Sequence, residues 1–189
     1  ADDVGLGKTI EAGLITSELM ARNQADRILI ITPANLREQW REAFNYFFHI
    51  DADLISRRHR KAMEKEIPPG TSPWEHHSKL IVSIDYAKQP SVRHEILDQD
   101  WDLVIIDEAH QAAKPHESSA HDTVDMQRWD FATDITDHAD HCLLLTATPH
   151  NGYTDSFASL LRMLDVDAVK GPRHDPTIHR DVAQRHVVQ

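Results

Sequence analysis

Asp2-Asp3-Val4-Gly5-Leu6-Gly7-Lys8-Thr9 opens the chain and runs straight into Ile10-Glu11-Ala12-Gly13-Leu14-Ile15. Two glycines, then Lys-Thr, then an apolar-periodic run describe a phosphate-binding loop that opens a helix. Triphosphate oxygens must approach backbone N–H groups closely, and side chains at Gly5 and Gly7, on either side of Leu6, would obstruct them. The helix beginning near Lys8 would aim its free N–H groups and positive dipole end at the phosphates. In this reading Lys8 reaches the β- and γ-phosphates of ATP, and the Thr9 hydroxyl ligates Mg²⁺. The pattern is incomplete, because Asp2 stands where the first glycine of a full loop belongs. A glycine-rich turn capping an ordinary helix is therefore the competing reading at this point.

Outward from the loop, four apolar runs read as strands: Arg27–Ile31, Lys79–Ile84, Trp101–Ile106 and Cys142–Leu145. None alternates with polar residues, and helical stretches separate them, which indicates an α/β fold with a parallel sheet and helices on both faces. The first helix spans Lys8 to about Arg22, with Ile10, Leu14, Ile15 and Leu19 giving its apolar period. A second spans Asn35–Phe48, with Leu36, Trp40, Phe44 and Phe47 on one face. Asp53–Ser56 is a candidate short strand, Arg57–Glu66 a helix and Pro68–Pro73 a surface loop. Further helices are expected at Val92–Leu97, around Thr123–Thr136 and at Tyr153–Leu164. In such sheets ligands sit at the carboxyl ends of the strands. Polar residues end each run there: Thr32, Ser83 or Asp85, Asp107 and Thr146. A strand should also precede the phosphate loop. Its absence, with the lack of an initiator Met, gives the expectation of a fragment. Residues 1–165 are expected to form one lobe, and 166–189 a linker or the start of a following segment.

Asp107-Glu108, after four apolar strand residues, supplies the second half of a nucleotide-hydrolysis site. A carboxylate at a strand end can hold Mg²⁺ opposite Thr9, directly or through water. Glu108 is then placed to orient and deprotonate the attacking water. Capping of the following helix is the bland alternative for both acids, and it loses weight beside the Gly-Leu-Gly-Lys-Thr run upstream.

Together these motifs resemble those of superfamily-two helicases. Asp107-Glu108-Ala109-His110 is similar to the family's Asp-Glu-Ala-His box. Ala1 to Thr9 looks like the first motif of the sucrose-nonfermenting (Snf) branch of double-stranded-DNA translocases, whose acidic lead-in accounts for Asp2. Ile31-Thr32-Pro33-Ala34-Asn35-Leu36-Arg37-Glu38-Gln39-Trp40 resembles motif Ia, Ser83-Ile84-Asp85-Tyr86 motif Ib, and Leu145-Thr146-Ala147-Thr148-Pro149-His150-Asn151-Gly152 motif III. The resemblance implies the first RecA-like lobe of an ATPase motor, with ATP and Mg²⁺ as cofactors. It places Thr32, Pro33, Gln39 and Ser83 along a DNA-backbone track and has Thr146 and Thr148 couple ATP state to DNA grip. His110 would relay between the nucleotide and motif III. Strand-end capping is the competing role for both threonines. Implied partners are double-stranded DNA and a second RecA-like lobe carrying arginine fingers, without which turnover should be poor. Prokaryotic members that recycle RNA polymerase or act in phage defence look most similar. An RNA helicase, a restriction-enzyme motor lobe and a non-hydrolysing binding module are the alternative classes.

Composition sets limits on the rest. Asp plus Glu total 31 against 20 Lys plus Arg, for a net charge of −11. That balance argues against a broad nucleic-acid-binding surface. It leaves room for a local basic track, since Arg37, Arg41, Arg57, Arg58, Arg60 and Lys61 lie close in sequence. The single Cys142 excludes a disulfide framework and indicates a reducing compartment, with the cytoplasm as the expected location. No run is long enough to span a membrane. Fourteen histidines include the groups His110, His116, His121 and His138, His141, but no His-Glu-x-x-His pattern or cysteine pair completes a metal site. Aspartate outnumbers glutamate and arginine outnumbers lysine, a pattern suited to a hydrated acidic surface in high salt. Thermal melting in increasing KCl is therefore expected to show rising stability; a maximum near low salt would contradict this reading.

Overall fold

The computed structural model describes residues 6–115, 123–147, 154–170, 177–178 and 181. Helix α1 (Leu6–Ala21) leads into strand β1 (Ile28–Thr32), followed by α2 (Arg37–Phe48), β2 (Asp53–Ile55), α3 (Arg57–Glu66) and α4 (Pro73–His76). Strand β3 (Lys79–Ser83) runs into the short α5 (Ile84–Ala87) and then α6 (Pro90–Leu97), β4 (Trp101–Ile106), α7 (Thr123–Asp137), β5 (Ala139–Leu144) and α8 (Thr154–Leu164). The sheet order is β2-β3-β1-β4-β5 and every pairing is parallel. A two-residue pair, β6 (Val169–Lys170) and β7 (Thr177–Ile178), is antiparallel.

Alternation along each strand divides the core into two layers, as a period of two requires. Leu29, Ile31, Leu80, Val82, Val104 and Ile106 face one side, with Ile84 of α5, Ile96 of α6 and Phe131 and Ile135 of α7. Ile28, Ile30, Ile81, Leu103 and Ile105 face the other, with Ala12 of α1 and Trp40 and Phe44 of α2. Strands β1 and β3 are buried almost throughout, which is why they read as unbroken apolar runs. Strand β5 lies at the sheet edge and is only half-buried or exposed along its length. Its second and third residues, Asp140 and His141, are exposed and polar, and the strand begins three residues before the apolar run at Cys142. Burial pushes the Cys142 thiol up to about 12, so it stays protonated at neutral pH.

Two faces differ from the apolar pattern in the sequence. Leu14 and Ile15 of α1 are 60% and 42% exposed, whereas Thr9, Ala12, Gly13 and Thr16 are buried. Phe47 of α2 is also exposed, and Phe48 packs inward in its place. The cause is close approach. A Cβ on Gly13 would lie 2.0 Å from Phe48 Cε2, so α1 meets α2 through its small residues. Gly13→Ala is therefore expected to lower stability: overpacking costs about 1–3 kcal/mol against about 1 kcal/mol of helix propensity gained. In a Phe48→Ala background the same change should stabilise by about 1 kcal/mol. Urea unfolding of the four proteins checks this, and a stabilising Gly13→Ala in the native background would contradict it.

Candidate nucleotide and nucleic-acid site

The carboxyl edge of the sheet gathers most of the residues singled out in the sequence. Hydrogen bonding continues beyond the strands there: Asp107 N–H donates to the Ile31 carbonyl at 2.8 Å, Leu145 N–H to Ile106 at 2.9 Å and Ala109 N–H to Leu145 at 2.8 Å. These bonds fix the turn that carries Asp107 and Glu108. Glu108 has φ +48° and ψ +46°, a left-handed conformation that side chains other than glycine seldom adopt. Such a conformation persists only where surrounding bonds hold it, and it concentrates at working sites. A short 3₁₀ turn, Ala109–Ala112, follows.

Lys8, in the first turns of α1, donates from Nζ to Glu108 Oε1 at 3.0 Å. This pair joins helix α1 to the strand-end acid across 100 residues of sequence. His110 Nδ1 lies 3.2 Å from Glu108 Oε2 and 3.1 Å from Thr146 Oγ1. Lys8, Glu108, His110 and Thr146 thus form one connected polar chain. Thr9 and Asp107 are both buried. Gly7 is exposed, and a Cβ there would meet nothing within 4 Å. Gly5 and Thr148 lie outside the described residues, as do His116 and His121, and the Leu6 side chain is likewise undescribed.

Asp107 is held on both oxygens. Trp40 Nε1 donates to Oδ2 at 2.8 Å and Thr32 Oγ1 to the same oxygen at 3.2 Å, while Oδ1 accepts Glu108 N–H at 2.9 Å. Sequence reading assigns Trp40 to the core only. The signal for more is that a buried indole N–H needs a partner, yet which partner it finds is a tertiary fact.

The remaining candidates occupy the same edge with different exposure. Thr32 and Ser83 are register partners at the ends of β1 and β3, and both are buried. Thr32 donates inward to Asp107, and Ser83 Oγ accepts Tyr86 N–H at 3.3 Å as the cap of α5. Pro33 is half-buried and Gln39 exposed. Asp85, on α5, receives both Nε and Nη2 of Arg128 at 3.0 Å. Burial pushes the Asp85 pKa up, but the Arg128 and Lys88 charges outweigh it and hold the carboxyl below its usual range. Of the basic residues close in sequence, Arg41 pairs with Glu38, and Arg60 with Glu64 and Glu95. The Glu95 hydrogen bond is the main cause of a raised Arg60 pKa.

The residues present suit a nucleotide with its magnesium. Thr9 and Asp107 offer the hard oxygen atoms that Mg²⁺ prefers. Lys8 offers a cation, and the backbone at Gly7, on the first turn of α1, is open on the side a Cβ would occupy.

A parallel sheet whose carboxyl edge joins the first helix, α1, to a strand-end Asp-Glu pair defines a RecA-like α/β lobe. The chain belongs to the SNF2-related domain family, which it matches over residues 1–181. It is 36% identical over 168 residues to RNA polymerase-associated protein RapA of Yersinia enterocolitica, and 34% identical over 170 residues to RapA of Serratia proteamaculans. These alignments take in 88% and 87% of the chain but only 16% of either relative, so the chain spans about one sixth of their length. Its fold is similar to the SWI2/SNF2 ATPase core of Sulfolobus solfataricus, solved in complex with dsDNA. The TM-score is 0.64 at 19% identity, covering 87% of this chain and 30% of that one. No described helix is long and apolar enough to cross a membrane.

Proposed function

We propose that this chain is the ATP-binding lobe of an ATP-dependent double-stranded-DNA translocase. The observation that carries the reading is the 3.0 Å contact between Lys8 and Glu108, within a chain of the SNF2-related family. Lys8 and the backbone at Gly5, Leu6 and Gly7 bind the triphosphate. Thr9 and Asp107 hold Mg²⁺, which neutralises charge on the phosphates when bound. A triphosphate competes with Glu108 for Lys8, and the released carboxylate then orients a water and accepts its proton. His110, within reach of both Glu108 and Thr146, links this event to the segment containing Thr146 and Thr148.

The nucleic acid runs over the turn after β1 and the start of α2, where Pro33 and Gln39 are accessible. Buried Thr32 and Ser83 shape that edge from beneath. A second lobe of the same parent supplies arginine fingers, and efficient turnover depends on them. Residues 1–165 act as the lobe, with 166–189 leading onward. Likeness to RapA makes RNA polymerase a candidate partner, and the cytoplasm the place of action.

The direct test is displacement of a third strand from a DNA triplex by the full-length protein. ATP-dependent displacement that fails with a non-hydrolysable analogue supports translocation. Absence of displacement by an actively hydrolysing protein would contradict it.

A further inference from the structure

We infer that Trp40 is a positioning residue for the magnesium-holding carboxylate, acting with Thr32. The inference rests on the nucleotide-site reading above and extends it to a residue that sequence assigns to the core. A carboxylate offers about four lone-pair positions. On Asp107, Oδ2 accepts two hydrogen bonds, from Trp40 and Thr32, and Oδ1 accepts one from its neighbour's backbone. One position remains, on Oδ1, for a cation or a water bound to it.

The donors hold the carboxylate from a rigid support. Trp40 is 2% exposed, and its ring packs against Phe44 with centroids 5.3 Å apart. Thr32 is fully buried at the end of β1, between β3 and β4. Asp107 is 8% exposed, so water competes weakly for either oxygen. Without the indole N–H the carboxylate would keep its charge but lose the shorter of the two side-chain hydrogen bonds that fix its rotation. Loss of a group that orients a metal ligand in this way typically costs about 10- to 100-fold in metal affinity or activity.

The placement also puts two jobs on one helix. Trp40 faces inward to Asp107 while its neighbour Gln39 is exposed on the same turn of α2. Movement of α2 would therefore be felt at the carboxylate.

The test uses the full-length protein carrying this chain and a fluorescent ATP analogue, titrated with Mg²⁺ and again in EDTA. Trp40→Phe keeps the aromatic packing and removes the donor. It is expected to weaken the apparent Mg²⁺ affinity of the nucleotide-loaded site about 10-fold, with affinity in EDTA unchanged within about twofold. In an Asp107→Ala background the same substitution should add nothing, because the carboxylate that Trp40 positions is gone. An unchanged Mg²⁺ affinity in Trp40→Phe, or an equal loss in both backgrounds, would overturn the positioning role while leaving the nucleotide site intact. Failure of the unsubstituted protein to bind the analogue with Mg²⁺ would instead overturn the nucleotide reading. Should Trp40→Phe not fold, Thr32→Val, which removes the other donor at constant shape, carries the same expectations.

Discussion

Lys8→Ala in the full-length protein is expected to abolish measurable ATP turnover and leave the fold intact. Lys8 is the one cation that the described part of the loop helix places beside Glu108. Its loss removes a charge aimed at the phosphates, and removal of a single preorganised charge-stabilising donor lowers kcat by about 10²- to 10³-fold. Stability should change little. The Lys8 and Glu108 side chains both keep some contact with solvent, at 21% and 25% exposed, and Glu108 retains His110 Nδ1 at 3.2 Å as a second neighbour. Turnover and thermal melting of the purified variant check both halves of the expectation. Unchanged turnover would refute the role given to this lysine.

Glu108→Gln should separate binding from hydrolysis. The amide has nearly the same shape, can still accept from Lys8 and sits in the same left-handed turn, so the loop and its backbone bonds remain. What it lacks is the basicity to take a proton from water. General-base catalysis of this kind contributes about 10²- to 10⁴-fold, and a loss in that range is expected with nucleotide affinity retained. The contrast with Lys8→Ala is informative: one variant loses a phosphate ligand, the other only the base. A Glu108→Gln protein that still hydrolyses ATP at near the original rate would remove Glu108 from that role.

Much of the sheet was legible because its strands are buried on both faces. Ile28–Thr32 and Trp101–Ile106 are apolar runs long enough for a strand, bounded by polar breaks, and they stand within one residue of the expected ends. Helix α7 was similarly readable. The buried face of α1 was not, because Leu14 and Ile15 keep a helical period while the contact with α2 is made by small residues. Only the Gly13–Phe48 approach shows why. Short α5 was hidden because Ile84 prolongs the apolar run of β3, and its start depends on the Ser83 cap. The site followed the same division. Motif residues at strand ends were visible, since type and order suffice to place them on one edge. The left-handed Glu108, the His110–Thr146 contact and the Trp40–Asp107 bond required the fold, since each joins residues through tertiary packing or special backbone geometry.

Two of the basic residues close in sequence have acidic partners in the fold. Arg41 and Arg60 each meet glutamates. Their charge is largely offset locally, in keeping with the acidic balance of the chain. Contact with a DNA backbone through amides, hydroxyls and few charges remains compatible with that balance.

ATP hydrolysis by the full-length protein, measured in parallel without nucleic acid and with duplex DNA, single-stranded DNA and RNA, tests the central claim most directly. Several-fold stimulation by duplex DNA above the other three, lost in Lys8→Ala, is the predicted result. A folded protein that hydrolyses ATP under none of these conditions, or responds only to RNA or single strands, would contradict it.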